Sequence, residues 1–263
     1  MNDFATKKII LQYIGEGKYT HILFYLFCSK CPKLFSKDVG EFMVDHNKIR
    51  TQLMEGAIKA VSEYGLEGLT TRSIEQQCKV KDSYIYRYFE DKEDLLKKAF
   101  IREDKTLIAV IEHYFPIMQN DKLDFKERCY SLWKPCWQYL VSRPDVCRFY
   151  VRYYYSTYFK QQAFNEHLVI CETLIDKVKK AFPNNVNAEM LLHHILETML
   201  SYGMKVALGE MDNSEDDSDM AFNFCYSVVC AYISPNKNAE SKEIKEKGKL
   251  SYLEFYSIVN TWK

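Results

Sequence analysis

Hydroxyl, aromatic and basic side chains are concentrated in one short segment, residues 79–92. Residues 84–89 read Tyr-Ile-Tyr-Arg-Tyr-Phe. The segment from Lys79 to Tyr88 contains three basic residues and one acidic residue, Asp82. Lysine and arginine attract phosphate groups, while serine and tyrosine hydroxyls bond phosphates and base edges. The chemistry that this segment suits is therefore contact with a nucleic acid.

Helical patterns on both sides of this segment must position it. Apolar residues follow helical spacing up to Tyr64, where Gly65 is suited to end a helix. The Thr70-Thr71 pair supplies an N-cap for the next helix, and Asp91 supplies one for a long helix that runs towards Phe115. The expected elements are helices over 47–64, 72–78 and 82–89, with a turn over 79–81.

Three short helices joined by such a turn are typical of a helix-turn-helix, whose last helix enters the major groove of duplex DNA. The residues at the start of that helix would face the base edges, and they are Lys81, Asp82, Ser83 and Tyr84. A serine hydroxyl can bond several bases, and a tyrosine ring suits a thymine methyl group. Arg87 lies further along and suits a phosphate oxygen.

Residues 50–96 resemble the DNA-binding domain of the TetR/AcrR transcriptional regulators. The most specific part is the run Tyr86-x-Tyr88-Phe89-x-x-Lys92 after a threonine-capped helix. The matching positions are Leu53, Met54, Ala57, Val61, Gly65, Thr70, Thr71, Ile74, Val80, Ile85, Tyr86, Tyr88, Phe89, Lys92, Leu95 and Leu96. The later helical region is similar to that family in length, in number of helices and in a Pro-Asp start at residues 144–145.

The resemblance implies an all-α fold with a three-helix helix-turn-helix DNA-binding domain over residues 46–92 and a C-terminal helical ligand-binding and dimerisation domain over residues 93–235. It also implies that Thr71, Tyr86 and Lys92 contact the DNA backbone. For Tyr86 a core role is the alternative, and for Phe89 it is the preferred one. The expected DNA-binding set is Thr71, Arg72, Lys81, Asp82, Ser83, Tyr84, Tyr86, Arg87 and Lys92.

One helix-turn-helix buries little surface, so two-fold dimers on a palindromic operator are the usual arrangement. By resemblance, Ala188–Leu208 and Met220–Ile233 would form the homodimer interface, and the alternative is that their apolar faces pack inside one subunit. The expected function is a ligand-responsive transcriptional regulator, most often a repressor. A hydrophobic or aromatic small molecule would release it from DNA.

Four positions depart from the family's pattern, which usually has small residues at 75 and 78, glycine at 79 and serine at 81. They are Glu75, Cys78, Lys79 and Lys81. Lys79 must take a turn conformation that glycine reaches more easily, at a cost of about 1 kcal/mol. Glu75 and Lys79 leave open a second function, a dimeric ligand-binding or protein-interaction module whose helix-turn-helix no longer reads DNA.

Aromatic residues are crowded between Trp133 and Phe159, with Pro135 among them. A proline inside a helix can kink it and leave a cavity, and an aromatic-lined apolar pocket between helices is a normal small-molecule site. An aromatic-rich core is the alternative. The expected ligand-binding residues are Trp133, Trp137, Phe149, Tyr153, Tyr154 and His167.

The other patterns of this region predict helices over 125–142, 145–159, 163–182, 188–208 and 220–233. The run Glu210–Asp219 carries six acids and no lysine or arginine, which favours a solvated loop. His167 and Cys171 lie four residues apart on one helical face, a spacing that is more often packing than a metal site. We expect neither a metal nor a cofactor.

The bulk composition sets further limits on the class of protein. The 263 residues carry 36 basic and 36 acidic side chains, so a DNA binder of this kind must separate its charges in space. Nine scattered cysteines indicate free thiols in a reducing cytoplasm. No apolar run approaches the length of a membrane span, and no constellation typical of an enzyme is present.

The two ends of the sequence differ from the family's pattern. Residues 1–42 are aromatic without sustained periodicity, and we treat them as an N-terminal extension. Gly40-Glu41-Phe42-Met43 can be encoded by a ribosome-binding sequence before a start codon. Our hypothesis is that translation begins at Met43, and the alternative is a genuine N-terminal arm. Residues 236–263 form a charged C-terminal tail, in which Leu250–Trp262 has no assigned role.

Overall fold

The computed structural model of the protein describes residues 38–182 and 186–233. Within these residues there are nine α-helices and no β-strand, so the prediction of an all-α fold is confirmed. The chain divides into one unit that ends at Thr51 and another from Gln52 to Lys263. The expectations for the N-terminal extension before Asp38 and for the tail over residues 236–263 lie outside the described residues.

The helices are numbered here in chain order. They are α1 (Asp38–Tyr64), α2 (Thr71–Cys78), α3 (Ile85–Tyr88), α4 (Lys92–Tyr114), α5 (Phe125–Val141), α6 (Pro144–Tyr154), α7 (Gln161–Ala181), α8 (Ala188–Leu208) and α9 (Glu215–Ile233). Two 3₁₀ helices, Asp82–Tyr84 and Phe115–Gln119, lie before α3 and after α4. The bounds of α8 are those predicted, and α1 begins nine residues earlier than the predicted position 47.

The acidic run is not wholly a loop, because its second half belongs to α9. Asp217 donates its backbone N–H to the Ser214 hydroxyl at 3.1 Å, and Ser214 donates in return to the Asp217 carboxylate at 2.6 Å. Glu215, Asp216 and Asp217 occupy the first helical turn, where negative charge is stabilised by the helix dipole. The prediction of a loop over the whole run was therefore wrong from Glu215 onward, because it considered only the charge of these residues.

Helix α6 ends at Tyr154, five residues before the predicted end at Phe159. The Ser156 hydroxyl donates to the Tyr153 carbonyl at 2.7 Å, and the Phe159 N–H donates to the Ser156 carbonyl at 3.2 Å. These local bonds replace the helical pattern with a turn. The turn returns the chain to the core, where Phe159 is buried.

Phe100 on α4 is the centre of an aromatic core. Its ring lies 4.7 Å from that of Tyr150, 5.0 Å from that of Tyr153 and 5.3 Å from that of Phe159, measured between centroids. All four residues are buried. Aromatic pairs at these distances stabilise a core beyond their buried area, so much of the aromatic crowding reflects packing of α6 on α4.

Seven cysteines fall among the described residues, and all seven are free thiols, as the scattered positions predicted. In the same part of the chain, no helix combines the length and the apolar character needed to cross a bilayer.

Candidate nucleic-acid interface and ligand cavity

Helix α2 is fixed at both ends by local interactions. The Ser73 N–H donates to the Thr70 hydroxyl at 3.0 Å, and the Thr70 N–H donates to the Ser73 hydroxyl at 3.0 Å, which forms the predicted N-cap. The helix ends at Lys79, whose left-handed backbone has φ 60° and ψ 19°. Within the described residues Lys79 is the one non-glycine with positive φ, so the predicted turn conformation is confirmed.

Glycines at two positions shape this region. Gly65 ends α1 with φ +73°, which confirms the predicted helix stop. A Cβ added at Gly56 would lie 2.7 Å from the Cβ of Cys78, so glycine permits close packing of α1 on α2. The sequence did not indicate this second requirement.

The segment Asp82–Tyr88, here called the recognition segment, begins as a 3₁₀ turn and continues as α3. Its first N–H, that of Asp82, donates to the Glu75 carboxylate at 3.2 Å. The Thr71 hydroxyl donates to the Asp82 carboxylate at 3.2 Å. Glu75 therefore holds the start of the recognition segment against α2. The family pattern, which usually has a small residue at this position, did not indicate that role.

The recognition segment has one buried and one exposed side. Ile85 is fully buried and Phe89, directly after the segment, is 4% exposed, in accord with the preferred core role of Phe89. The rings of Tyr84 and Tyr88 stack at 6.2 Å with an interplanar angle of 12°. The Arg87 guanidinium lies 5.9 Å from the Tyr84 centroid and 6.0 Å from the Tyr88 centroid. These contacts order the outer side chains.

Among the predicted DNA-binding residues, the exposed ones are Arg72, Lys81, Ser83, Tyr86 and Arg87. Tyr86 is 65% exposed, which argues against a core role. The half-buried ones are Thr71, Asp82, Tyr84 and Lys92. The Lys92 ammonium donates to the Leu69 carbonyl at 3.0 Å, so this lysine also fastens α4 to the loop before α2.

Helix α6 joins the helix-turn-helix to the C-terminal helices. Arg152 donates through Nη1 to the Val61 carbonyl at 2.5 Å and to the Ser62 carbonyl at 2.8 Å, at the C-terminal end of α1. The Ser62 hydroxyl donates to Asp145 Oδ1 at 2.7 Å. One turn before Arg152, Arg148 donates to the Ala207 carbonyl near the end of α8. Arginine at helix C-termini satisfies unpaired carbonyls and complements the dipole.

A buried polar cluster lies beside the aromatic core. Asp104 on α4 accepts a hydrogen bond from the Tyr150 hydroxyl at 2.7 Å and pairs with His167 Nδ1 on α7 at 2.9 Å. Burial opposes protonation of His167, but its bonds to Asp104 and Cys171 prevail and raise its pKa to about 10. Burial and the neighbouring His167 charge lower the pKa of His193 to about 3.

An apolar cavity of about 80 Å³ lies between α4, α5, α7, α8 and α9. Its wall includes Trp133, Leu196, Met199 and Phe222, and the thiols of Cys129, Cys136 and Cys225. Burial raises the pKa of Cys136 to about 12, and that of Cys129 likewise to about 12, so these thiols stay protonated. The cavity therefore presents hydrocarbon, sulfur and aromatic surface to a guest.

The structure separates the six predicted ligand-binding residues. Trp133 lines the apolar cavity, whereas Trp137, Phe149 and Tyr153 pack in the core away from it. Tyr154 and His167 border a second space of about 20 Å³ that shares Leu196 with the first. Pro135 borders a surface groove between α4 and α5. Nothing in the sequence near Val229, which also lines the cavity, indicated that this residue would do so.

Helix α9 carries an apolar stripe on its outer face. Met220, Phe224, Val228 and Tyr232 recur every four residues and are each between 40% and 55% exposed. Exposed apolar residues in a continuous row, rather than singly, mark interaction surfaces. Met190 and Leu208 on α8 are also exposed.

A helix-turn-helix with an exposed recognition segment, followed by a helical domain with an apolar cavity, defines a class of bacterial regulators. Residues 53–99 match the sequence profile of the bacterial regulatory proteins of the tetR family. This segment therefore carries a DNA-binding domain of the TetR type, and the fold of the chain is that of TetR-family regulators.

Individual relatives are similar over different parts of the chain. The HTH-type transcriptional repressor AcnR of Corynebacterium diphtheriae is 35% identical over 81 residues, which cover 30% of this chain and 42% of AcnR. A TetR family transcription regulator from Marinobacter aquaeolei has a TM-score of 0.57 at 18% identity, covering 71% of this chain and 97% of that one. FadR from Bacillus subtilis, solved in complex with stearoyl-CoA, has a TM-score of 0.51 at 15% identity, covering 70% and 97%.

Proposed function

We propose that the protein is a transcriptional repressor that binds a palindromic operator as a homodimer and is released when an apolar small molecule occupies the cavity. The observation that carries this proposal is the recognition segment, which is anchored by Ile85, held at its start by Glu75 and exposed along its outer side. A rigid, exposed helix with basic and hydroxyl groups suits the major groove.

Within the recognition segment, different side chains take different tasks. Ser83, exposed near its start, reads base edges, while Tyr86 and Arg87 bind phosphate oxygens. Lys81 adds positive charge beside the groove. Glu75 and Lys79, which favoured a module that no longer reads DNA, each have a place in the helix-turn-helix. These structural roles favour a helix-turn-helix that reads DNA over that alternative.

The homodimer forms through α8 and α9. The stripe of Met220, Phe224, Val228 and Tyr232 supplies apolar surface along α9 after its acidic first turn. Two copies of a self-complementary face related by a two-fold axis bury this surface, and they present two recognition segments to the two half-sites of a palindrome.

The effector acts through helix positions that differ between the bound and the released state. A guest in the cavity displaces α8, which lines it with Leu192, Leu196 and Met199. Helix α6 then transmits the displacement, because Arg148 binds the end of α8 and Arg152 binds the end of α1. The guest shifts the equilibrium only by its preference for the released state.

Two relatives support parts of this proposal. The name of AcnR describes a repressor, and FadR was solved with stearoyl-CoA, which carries a long apolar chain. A cavity with an apolar wall in the same fold suits an apolar effector in this protein also.

The test of DNA reading begins with selection of bound duplexes from a random library at controlled salt. We expect a palindromic consensus. Tyr86→Phe removes one exposed hydroxyl and should weaken binding to all selected duplexes about tenfold, because a hydrogen bond to a charged group is lost. Ser83→Ala should instead alter the base preference within each half-site.

The control variant is Tyr114→Phe, the same change at a 43% exposed tyrosine at the end of α4. It should bind DNA like the wild type. Selection of no consensus, or equal losses for Tyr86→Phe and Tyr114→Phe, would contradict the proposed role of the recognition segment.

A further inference from the structure

Part of the wall of the apolar cavity lies close to the protein surface. Most of the residues that line the cavity are buried, and the half-buried ones are Cys129, Leu132, Phe182, Ile195 and Tyr226. Two of these, Phe182 directly after α7 and Tyr226 on α9, contact Phe125, the first residue of α5. The rings of Phe125, Phe182 and Tyr226 are here called the cavity mouth.

Phe125 covers the two wall residues of the cavity mouth from outside, since its own side chain is not part of the wall. Its ring centroid lies 5.9 Å from that of Phe182, edge-on at 86°, and 6.1 Å from that of Tyr226, tilted at 39°. Aromatic contacts of this kind stabilise a closed arrangement. Because Phe125 is itself half-buried, a single layer of rings separates the cavity from solvent at this place.

Two cationic side chains lie on the solvent side of the cavity mouth. The Lys126 ammonium is 5.7 Å from the Tyr226 ring centroid, and the Arg128 guanidinium is 5.9 Å from that of Phe125. Long cationic side chains lay their stems along apolar surface and keep their charged ends in water. The rings of the mouth therefore have the cavity on one side and hydrated groups on the other.

Opening of the cavity mouth disturbs little of the fold. Phe125 is the first residue of α5 and Phe182 follows the last residue of α7, and helix ends open at a lower free-energy cost than helix centres. Rotation of the Phe125 side chain breaks two ring contacts and no side-chain hydrogen bond, because phenylalanine has no polar group.

A second route into the cavity would pass through the space of about 20 Å³ that shares Leu196 with it. Tyr150 and His167 line that space, and both are hydrogen-bonded to the buried Asp104. A guest that displaced them would separate buried charged partners, which costs more than the loss of aromatic contacts. The comparison favours the cavity mouth.

We propose that the effector enters and leaves the cavity through the cavity mouth and that Phe125 is the gate. This inference rests on the proposed function, since it assigns the route by which the effector reaches its site. Phe125 lies outside the wall, so its ring sets the rates of entry and release and has little influence on the affinity. It controls how fast the regulator responds.

The probe that tests this is fluorobenzene, whose entry and release rate constants follow from fluorine exchange NMR with the full chain and without DNA. An engineered cavity of about 150 Å³ accepts benzene. The cavity of about 80 Å³ must therefore enlarge, which the flexible side chains of Met118 and Met199 on its wall allow.

We expect Phe125→Ala to raise both rate constants about tenfold and to leave Kd nearly unchanged, since two ring contacts of the closed mouth are lost and the wall is intact. Phe125→Leu, which keeps an apolar side chain without a ring, should raise both rate constants by a smaller factor. This milder variant decides the question if Phe125→Ala fails to fold.

The matched control is Tyr155→Ala, which removes the ring of a 62% exposed tyrosine that borders the second space. It should leave both rate constants unaltered. Acceleration by Tyr155→Ala and not by the Phe125 variants would show that the effector uses the second route. Unchanged rate constants in both Phe125 variants, or a change confined to release, would show that Phe125 is not a gate.

Each of those results overturns the inference alone and leaves the cavity as the effector site. The absence of bound fluorobenzene in the wild type and in all variants would overturn both the inference and the effector part of the proposed function.

Discussion

The helix-turn-helix and the C-terminal helices depend on interactions of different range. In the former, the bonds that join Thr70 to Ser73 and Asp91 to Asp94 each span three residues. In the latter, Asp104 binds Tyr150 and His167, which lie 46 and 63 residues away. The first region is therefore specified by short motifs, whereas the second requires the folded chain. The comparisons show the same division, since the family profile covers residues 53–99 and the rest is similar in fold.

We expect the largest effect on stability from loss of a long-range interaction, compared with loss of a local one. Asp104→Ala leaves His167 and Tyr150 buried without their shared partner, and it should lower the free energy of unfolding by about 3–5 kcal/mol. Thr70→Ala removes a local cap and should cost about 1 kcal/mol. Urea unfolding of both variants measures the difference. Similar costs for the two variants would break the distinction between the regions.

The same buried cluster makes stability depend on pH in opposite directions. The raised pKa of His167, about 10, gives a stabilising contribution that is complete below its unfolded value of about 6.5 and is lost as pH rises towards 10. The lowered pKa of His193, about 3, gives a contribution that is present above 6.5 and lost as pH falls. We expect each contribution to amount to a few kcal/mol, because each pKa unit corresponds to about 1.4 kcal/mol.

Two variants separate these contributions in unfolding curves recorded between pH 4 and pH 10. Compared with the wild type, His167→Gln should flatten the alkaline decline and His193→Gln the acidic one. Identical pH profiles for the wild type and both variants would show that neither histidine has the protonation state assigned here.

The proposed dimer allows a test of whether the C-terminal region controls DNA binding through assembly. Val228→Asp places a charge in the apolar stripe of α9, whereas Val169→Asp places the same charge on α7 at a position that is 70% exposed. We expect Val228→Asp to produce monomers by analytical ultracentrifugation. Its operator affinity should fall by about 100-fold or more, since one recognition segment then binds without the other. If Val169→Asp caused an equal loss, general destabilisation would explain both.

The connection between the two regions should respond to loss of one arginine. Arg152→Met removes two bonds to the end of α1, so amide hydrogen exchange near Val61 should accelerate by about tenfold, which corresponds to about 1.4 kcal/mol. Arg148→Met, the same change one turn earlier, should accelerate exchange near Ala207 on α8 instead. Exchange that is unchanged at both sites would remove α6 from the proposed coupling.

The smallest effect concerns the turn before the recognition segment. Lys79 has a left-handed backbone, so Lys79→Gly should raise the free energy of unfolding by up to about 1 kcal/mol. Lys81, with φ −54° and ψ 137°, has no such strain, and Lys81→Gly should give no gain. Thermal unfolding of both variants measures this. A gain for Lys81→Gly alone would contradict the assignment of strain to Lys79.

The sequence predicted what local chemistry determines. The Thr70 cap, the Gly65 stop and the Asp91 cap follow from the residues within three or four positions. The turn conformation of Lys79 was instead implied by the family resemblance, in which a glycine is usual at this position. The start of α9 was not predicted although its cap at Ser214 is local, because a run of acidic side chains also suits a solvated loop.

What the sequence could not supply depends on distant partners. The wall of the cavity combines Ile111 with Val229, and the two arginines of α6 bind carbonyl groups on α1 and α8. No spacing rule along the chain relates these positions. Similarly, the sequence shows Glu75 only as a departure from the family pattern, whereas its bond to the Asp82 N–H shows its structural role.

The placement of Arg148 and Arg152 on one helix has a geometric consequence for how the recognition segments could be displaced from DNA. Four residues of helix correspond to about 6 Å along its axis. The two arginines of α6 that bind the ends of α8 and α1 are therefore only about one helical turn apart. Under the proposed function, a shift of α8 would therefore act on α1 through a short helical connection. Adjacent bases lie about 3.4 Å apart along a strand. Under the proposed function, a displacement of that size in each subunit would move each recognition segment by one base-pair step relative to its half-site.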